Sequence, residues 1–372
     1  MRLNDSSCLG ERNLRLDLIK GITCYLIVFL HNTMFTNGTD ILNIYDCIIL
    51  FLHSITRVGV PVFMGITGYF VFFEKERQFN YGIRKIGRYL IILLLWEVIY
   101  FSYEFFTKED LSKTFFHDLS EIDITCGHLW YLKLYIGILA VFPIIKVIVK
   151  DERVLLFYVI FWIVFFSLRF TLGLFYGLIP NLKKILLLFQ IPFFEYKGYL
   201  GGTVGSEYPT VYIGIFIIIG AYINLLERKR FFVNMKIIIV ISIIAYVVTV
   251  AVTIAYALLY DGFKDYFFQP LELHILIMVI GFITLFYYIP DSFLKSNSRI
   301  IEKLSNYSLG IYIIHPLVGS LLKHTSYNSI FDRGFNVLIM NIINWIVVSF
   351  ISFFVIGLIR KLIPHRICNY II

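Results

Sequence analysis

Ten apolar runs follow one another along this chain of 372 residues, separated by short polar breaks. Each is long enough for a helix of about 20 residues to cross the roughly 30 Å hydrocarbon core of a bilayer. They predict spans at 18–35, 48–73, 86–106, 129–149, 154–176, 207–225, 236–260, 268–290, 306–323 and 335–360. The expected fold is all-α, a polytopic membrane helical bundle of about ten transmembrane helices forming one domain over 1–372, with no appended soluble domain. Only 16% of the residues are charged and the mean hydropathy is +0.80. Soluble chains carry about 25% charged residues, so an ordinary soluble domain and a disordered chain are both excluded.

The apolar stretch within 177–206 is too short to span, and it predicts a re-entrant or interfacial segment. Most of the 33 Lys and Arg residues fall on the side that holds both chain ends. By the positive-inside rule both termini are cytoplasmic, in a multi-pass cell-membrane protein whose cationic loops meet membrane lipids. The net charge of +8 is thus accounted for without nucleic acid. The five cysteines show neither metal-ligand spacing nor a closed disulfide set, and the first apolar run is too long for a signal core.

Ionisable groups inside a span cost roughly 2.5 to 3.5 kcal/mol each at the bilayer centre, so each one is a functional candidate. Lys20 and His31 are eleven residues apart on the first helix, which puts them on one face about 16 Å apart. A neutral imidazole accepts a proton from a hydroxyl, so His31 suits a general base; a packing histidine is the alternative. Arg57 in the second span needs an anion, from Glu97, Glu272 or a ligand, and a structural ion pair is the plainer use. The small residues Gly65, Thr67 and Gly68 permit close approach by a thin ligand or by another helix. Arg84, Lys85 and Arg88 at the mouth of the third span suit phosphates or anionic lipids. His128 and Trp130 open the fourth span at the outer interface, where an aromatic belt suffices for the Trp, and Lys133 can snorkel outward. His315 precedes Pro316, which weakens the helix where the imidazole sits. Together these residues predict a polar cavity through part of the membrane.

The ordered set RLDLIKGITCYLIVFLH at 15–31, SITRVGVPVFMGITGYF at 54–70, the basic entry of the third helix, HLWYL at 128–132 and YSLGIYIIHPLV at 307–318 resembles the acyltransferase-3 family of integral membrane acyltransferases. The resemblance is to the branch containing bacterial O-acetyltransferases for surface polysaccharides. The resemblance implies an acyl-CoA donor, most commonly acetyl-CoA, with no permanently bound cofactor; no metal is expected, since His31, His128 and His315 lie on different helices and nothing in the sequence brings them together. It implies His31 as catalytic base, with Arg57 or Lys20 stabilising charge and Lys20 closer to the donor. Arg84, Lys85, Arg88, Thr67, Gly68 and Tyr69 would bind the donor. His315, Trp130, His128 and Glu97 would line the cavity on the acceptor side. The family's usual Arg at the first position is Lys20 here, its Ser-Gly-aromatic motif is Thr67-Gly68-Tyr69, and its basic pair at the third helix is Lys85 and Arg88. The implied function is transfer of an acyl group, acetyl above all, from cytoplasmic acyl-CoA to a hydroxyl on an extracytoplasmic or lipid-linked carbohydrate such as a cell-surface polysaccharide. Direct transfer is the simpler route; Cys24, seven residues from His31, is the candidate nucleophile for a covalent one.

Two rivals share the polar cavity: a permease-like protein for a small solute such as serine, and a structural partner in polysaccharide synthesis. Nothing in the sequence selects the acceptor or the oligomeric state, a homo-oligomer included.

Overall fold

The computed structural model describes residues 12–33, 44–74, 80–107, 127–168, 171, 209–228, 234–259, 269–323 and 335–372, among which every regular element is helical. In chain order these are α1 (Leu14–Asn32), α2 (Ile44–Thr56), α3 (Gly59–Gly68, running into a π-turn at Tyr69–Phe73), α4 (Asn80–Thr107), α5 (Trp130–Lys150), α6 (Glu152–Trp162, continued by a π-turn at Ile163–Leu168) and α7 (Pro209–Glu227). Then follow α8 (Met235–Leu259), α9 (Leu273–Phe286), α10 (Asp291–Ser296), α11 (Ser298–Lys323), α12 (Phe335–Leu362) and α13 (His365–Cys368). Each of the ten apolar runs carries at least one of these helices, and 48–73 carries two, α2 and α3. The expected re-entrant segment at 177–206 lies outside the described residues.

By length and apolarity, four stretches among the described residues are candidate spans: Ile44–Phe73, Tyr81–Thr107, Met235–Ala255 and Val337–Leu362. The bent pair Gly127–Ala140 and Phe142–Lys150 makes a fifth. The helices α1 and α11 fall outside this set because of the polar residues they carry, Arg15, Asp17 and Lys20 on one and Ser305, Asn306, Ser308 and His315 on the other. Exposed Ile237, Val240, Ile244 and Val247 on α8, with Phe350 and Phe354 on α12, give the bundle an apolar outer surface. An all-α membrane bundle is the result, since a helix satisfies most of its backbone polar groups internally, as a bilayer requires.

Prolines set the departures from straight spans. Position 48–73, expected as one helix, breaks at Arg57–Val58, where the Arg57 amide bonds back to Ser54 (3.3 Å). Pro61 lies four residues on, and its ring clashes with the residue-57 carbonyl of a continuous helix. Arg57 therefore sits in a turn between α2 and α3. Pro143 bends α5 by 70°. The carbonyl of Leu139, which Pro143 has no N–H to meet, approaches Gly82 of α4 so closely that a Cβ there would lie 2.6 Å from it.

Two contacts position the site. Helices α1 and α11 run parallel, with Gly21 against Leu304, Ser305 donating to Asp17 (2.5 Å), Cys24 donating to the Ser308 carbonyl (3.2 Å) and Asn32 beside Gly319. Asn13 caps α1 by accepting from the Leu16 amide (3.1 Å). Helices α3 and α7 cross where Gly65 meets Ile219 and Gly68 meets the carbonyl of Phe216. Side chains at these two glycines would collide with the partner helix.

Candidate active site

His31 occupies the last turn of α1 and is exposed, whereas His315, in the middle of α11, is fully buried. The parallel packing of the two helices brings Nδ1 of His31 to 3.0 Å from Nε2 of His315. Their rings stack at 5.1 Å between centroids. His315 turns its other nitrogen, Nδ1, to the carbonyl of Ile311 one helical turn back (3.0 Å). His128, in the 3-10 turn before α5, completes the group: its ring lies 6.1 Å from that of His315, and its Nε2 donates to the Ile313 carbonyl (3.2 Å). Tyr312 donates to the backbone carbonyl of His128. Three histidines from distant parts of the sequence thus converge. Among the described residues, however, no three His, Cys, Asp or Glu side chains are arranged to hold a metal ion.

Arg57, released from helical geometry by the break before α3, donates to Nε2 of His53 (2.7 Å), one turn earlier on α2. Its charge also reaches His31 and the buried carboxylate of Glu272, which itself pairs with His274 at 3.0 Å. Glu97 is engaged elsewhere, bridged to Lys133 (3.2 Å) between α4 and α5. Trp130 is half-buried and packs against Tyr212 of α7 (5.4 Å).

Nearer the start of α1 lies a cavity of about 270 Å³. Lys20, Thr67, Lys85 and Tyr131 line it, with Tyr81, Tyr89 and Tyr135. Thr67 Oγ1 and the Tyr131 hydroxyl share a hydrogen bond (2.7 Å), and the Lys20 ammonium lies 6.0 Å from the centre of the Phe63 ring. Tyr131 is the wall between this cavity and the histidines. Its ring meets Tyr312 at 5.7 Å, and Tyr312 in turn lies 6.3 Å from His315 and 6.1 Å from His128.

The family model described as an acyltransferase domain, acyltransferase-3, matches residues 13–361, nearly the whole chain. The chain belongs to the acyltransferase-3 family. Comparison with curated proteins and with solved structures returned no match. The candidate site of this membrane acyltransferase has two parts, a cation-bearing cavity and a histidine group, with Tyr131 and Tyr312 packed between them.

Of the residues expected to bind a donor in this acyltransferase, Thr67 and Lys85 line the cavity together with Lys20. Arg88 donates to the carbonyl of Asn369 (2.6 Å), so it holds the C-terminal segment against α4. Arg84 is exposed on the outside of α4, a quarter-turn away from Lys85. Gly68 is used up in the crossing with α7, and Tyr69 opens the π-turn beside it. Cys24 is buried, with its thiol on the Ser308 carbonyl. Sequence reasoning missed His53, Tyr100, Tyr131 and Tyr312. The four-residue spacing of His53 and Arg57 was a usable signal, since it stacks the two on one helical face; the tyrosines, three of 26 in the chain, gave none.

Proposed function

We propose that the protein transfers an acyl group, acetyl above all, from cytoplasmic acyl-CoA to a hydroxyl of an extracytoplasmic or lipid-linked carbohydrate such as a cell-surface polysaccharide. The observation that carries this reading is the cavity in which two ammonium groups, Lys20 and Lys85, accompany the Thr67 and Tyr131 hydroxyls. Tyr131, in its wall, packs on Tyr312, which in turn packs on His315 beside His31. Ammonium groups suit the phosphates of coenzyme A, and the hydroxyls in the cavity wall suit its amide-containing arm. With both termini cytoplasmic, the cavity opens to the cytoplasmic half and His31 lies in the outer half.

In the reaction, the acceptor hydroxyl gives its proton to His31 and its oxygen attacks the thioester carbonyl. The C–O bond forms, the C–S bond breaks, and the thiolate leaves with the proton that His31 received. Arg57, freed by the helix break and within electrostatic reach of His31, stabilises the negative charge on the carbonyl oxygen. Buried Cys24 takes no part, so transfer is direct.

The test is coenzyme A release by purified protein in nanodiscs supplied with acetyl-CoA, wild type beside His31→Ala. His31-dependent release, even slow release to water, is the expected result. Normal turnover by the variant would remove the base, and absence of acetyl-CoA binding to the wild type would remove the donor site.

A further inference from the structure

The two ring nitrogens of an imidazole are not equivalent, and which one carries the proton is fixed by what the other nitrogen faces. His315 Nδ1 faces the carbonyl of Ile311, which has only lone pairs to offer. Nδ1 of a neutral His315 therefore carries the hydrogen, and Nε2 carries the lone pair. That lone pair points at His31 Nδ1 at 3.0 Å, so His31 must hold its own hydrogen on Nδ1. Full burial of His315 inside α11 leaves its ring no water with which to choose otherwise. The series ends at His31 Nε2, on the exposed ring, unprotonated.

We propose that His315 is the positioning residue for the base: it fixes His31 in the tautomer whose free Nε2 takes the acceptor's proton. This rests on the reading of His31 as base and adds the direction from which the substrate hydroxyl must come, the Nε2 edge. When Nε2 gains the proton, the resulting imidazolium keeps its Nδ1–H bond to His315, whose neutral ring in turn leans on the Ile311 carbonyl. No charged group is required behind the base. The arrangement does the work of the carboxylate in a Ser-His-Asp triad with a second imidazole and a main-chain oxygen. Tyr100 and His128, both bound to the carbonyl of Ile313, hold the stretch of α11 between Ile311 and His315.

The experiment reads the tautomer directly. Protein labelled with 15N-histidine in nanodiscs, assigned by comparison with His31→Asn and His315→Asn, should show both residues protonated on Nδ1 in the wild type at a pH where they are neutral. A wild-type His31 protonated on Nε2 overturns the proposal whatever the activity. In turnover with acetyl-CoA, His315→Leu should lower kcat on the order of 100-fold with the KM for acetyl-CoA unchanged. His315→Gln, whose amide oxygen accepts from His31 Nδ1–H while its NH2 reaches Ile311, should recover much of that loss. Wild-type kcat in His315→Leu, or no difference between the Leu and Gln variants, would also overturn it. Failure of the base reading itself shows separately, as coenzyme A release that does not depend on His31.

Discussion

Tyr100 of α4 sets its hydroxyl between the carbonyl of Ile313, to which it donates at 2.7 Å, and the amide of Leu317, from which it accepts at 3.2 Å. These are the two groups an unbroken helix pairs directly, and Pro316 lies between them. A proline within a helix pushes the carbonyl four residues back aside and opens the turn. Here a phenol from a neighbouring helix fills that opening, so α11 continues through Pro316 to Lys323.

Tyr100→Phe follows from this. It keeps the ring and removes the bridge, leaving two buried backbone groups with one partner fewer. A cost of about 1 to 3 kcal/mol in stability is expected, together with a fall in kcat larger than any change in the KM for acetyl-CoA. Thermal unfolding in detergent and steady-state kinetics check it; an unchanged variant would show that the bridge does not hold His315.

Lys85 and Arg88 should part company, although the sequence places them side by side. Lys85 lines the cavity, so Lys85→Ala should weaken acetyl-CoA binding by roughly tenfold, the worth of one charge-assisted hydrogen bond. Arg88 serves the C-terminal segment, so Arg88→Ala should lower the melting temperature and leave donor affinity alone. Calorimetric titration of both variants decides the matter, and equal losses of affinity would mean that the donor extends onto the outer face of α4.

At Gly68 the expected effect is on assembly. A methyl group there meets the Phe216 carbonyl of α7, and backbone cannot step aside as a flexible side chain can. Gly68→Ala should cost about 1 to 3 kcal/mol and lower the yield of folded protein, measured by size-exclusion chromatography. A folded, stable variant that had lost donor binding would instead return Gly68 to the donor passage.

Cys24→Ala should leave kcat unchanged, because its thiol is buried against Ser308 between α1 and α11. Failure of this variant to turn over, while still folded and binding acetyl-CoA, would reinstate a covalent intermediate.

Much of the fold was legible because the apolar runs are long and unambiguous, and membrane insertion leaves a chain of this composition few alternatives to helices. Helix ends were less so: α11 begins at Ser298, ahead of the expected 306, since its first turns carry Arg299, Glu302 and Lys303 and give no apolar signal. Breaks were missed where proline acts on the carbonyl four residues earlier, as Pro61 does on Arg57. His31, Arg57 and His315 could be picked out singly, because charge or imidazole in a span is costly. Their association could not be read, since it depends on which helices lie side by side. The same holds for Glu97, which pairs with Lys133, and for Arg57, which bonds to His53 while its charge reaches Glu272.

The parallel pairing of α1 with α11 also sets a timetable. His31 and His315 are 284 residues apart, and ribosomes add about 5 to 20 residues per second. His31 therefore waits on the order of 15 to 60 s in the membrane before its partner is even synthesised. During that interval the nascent chain holds the first imidazole without the second that orients it. On the proposed roles, the base is not oriented until the ninth apolar run is inserted, and a truncation upstream of His315 leaves His31 without the residue that sets its tautomer.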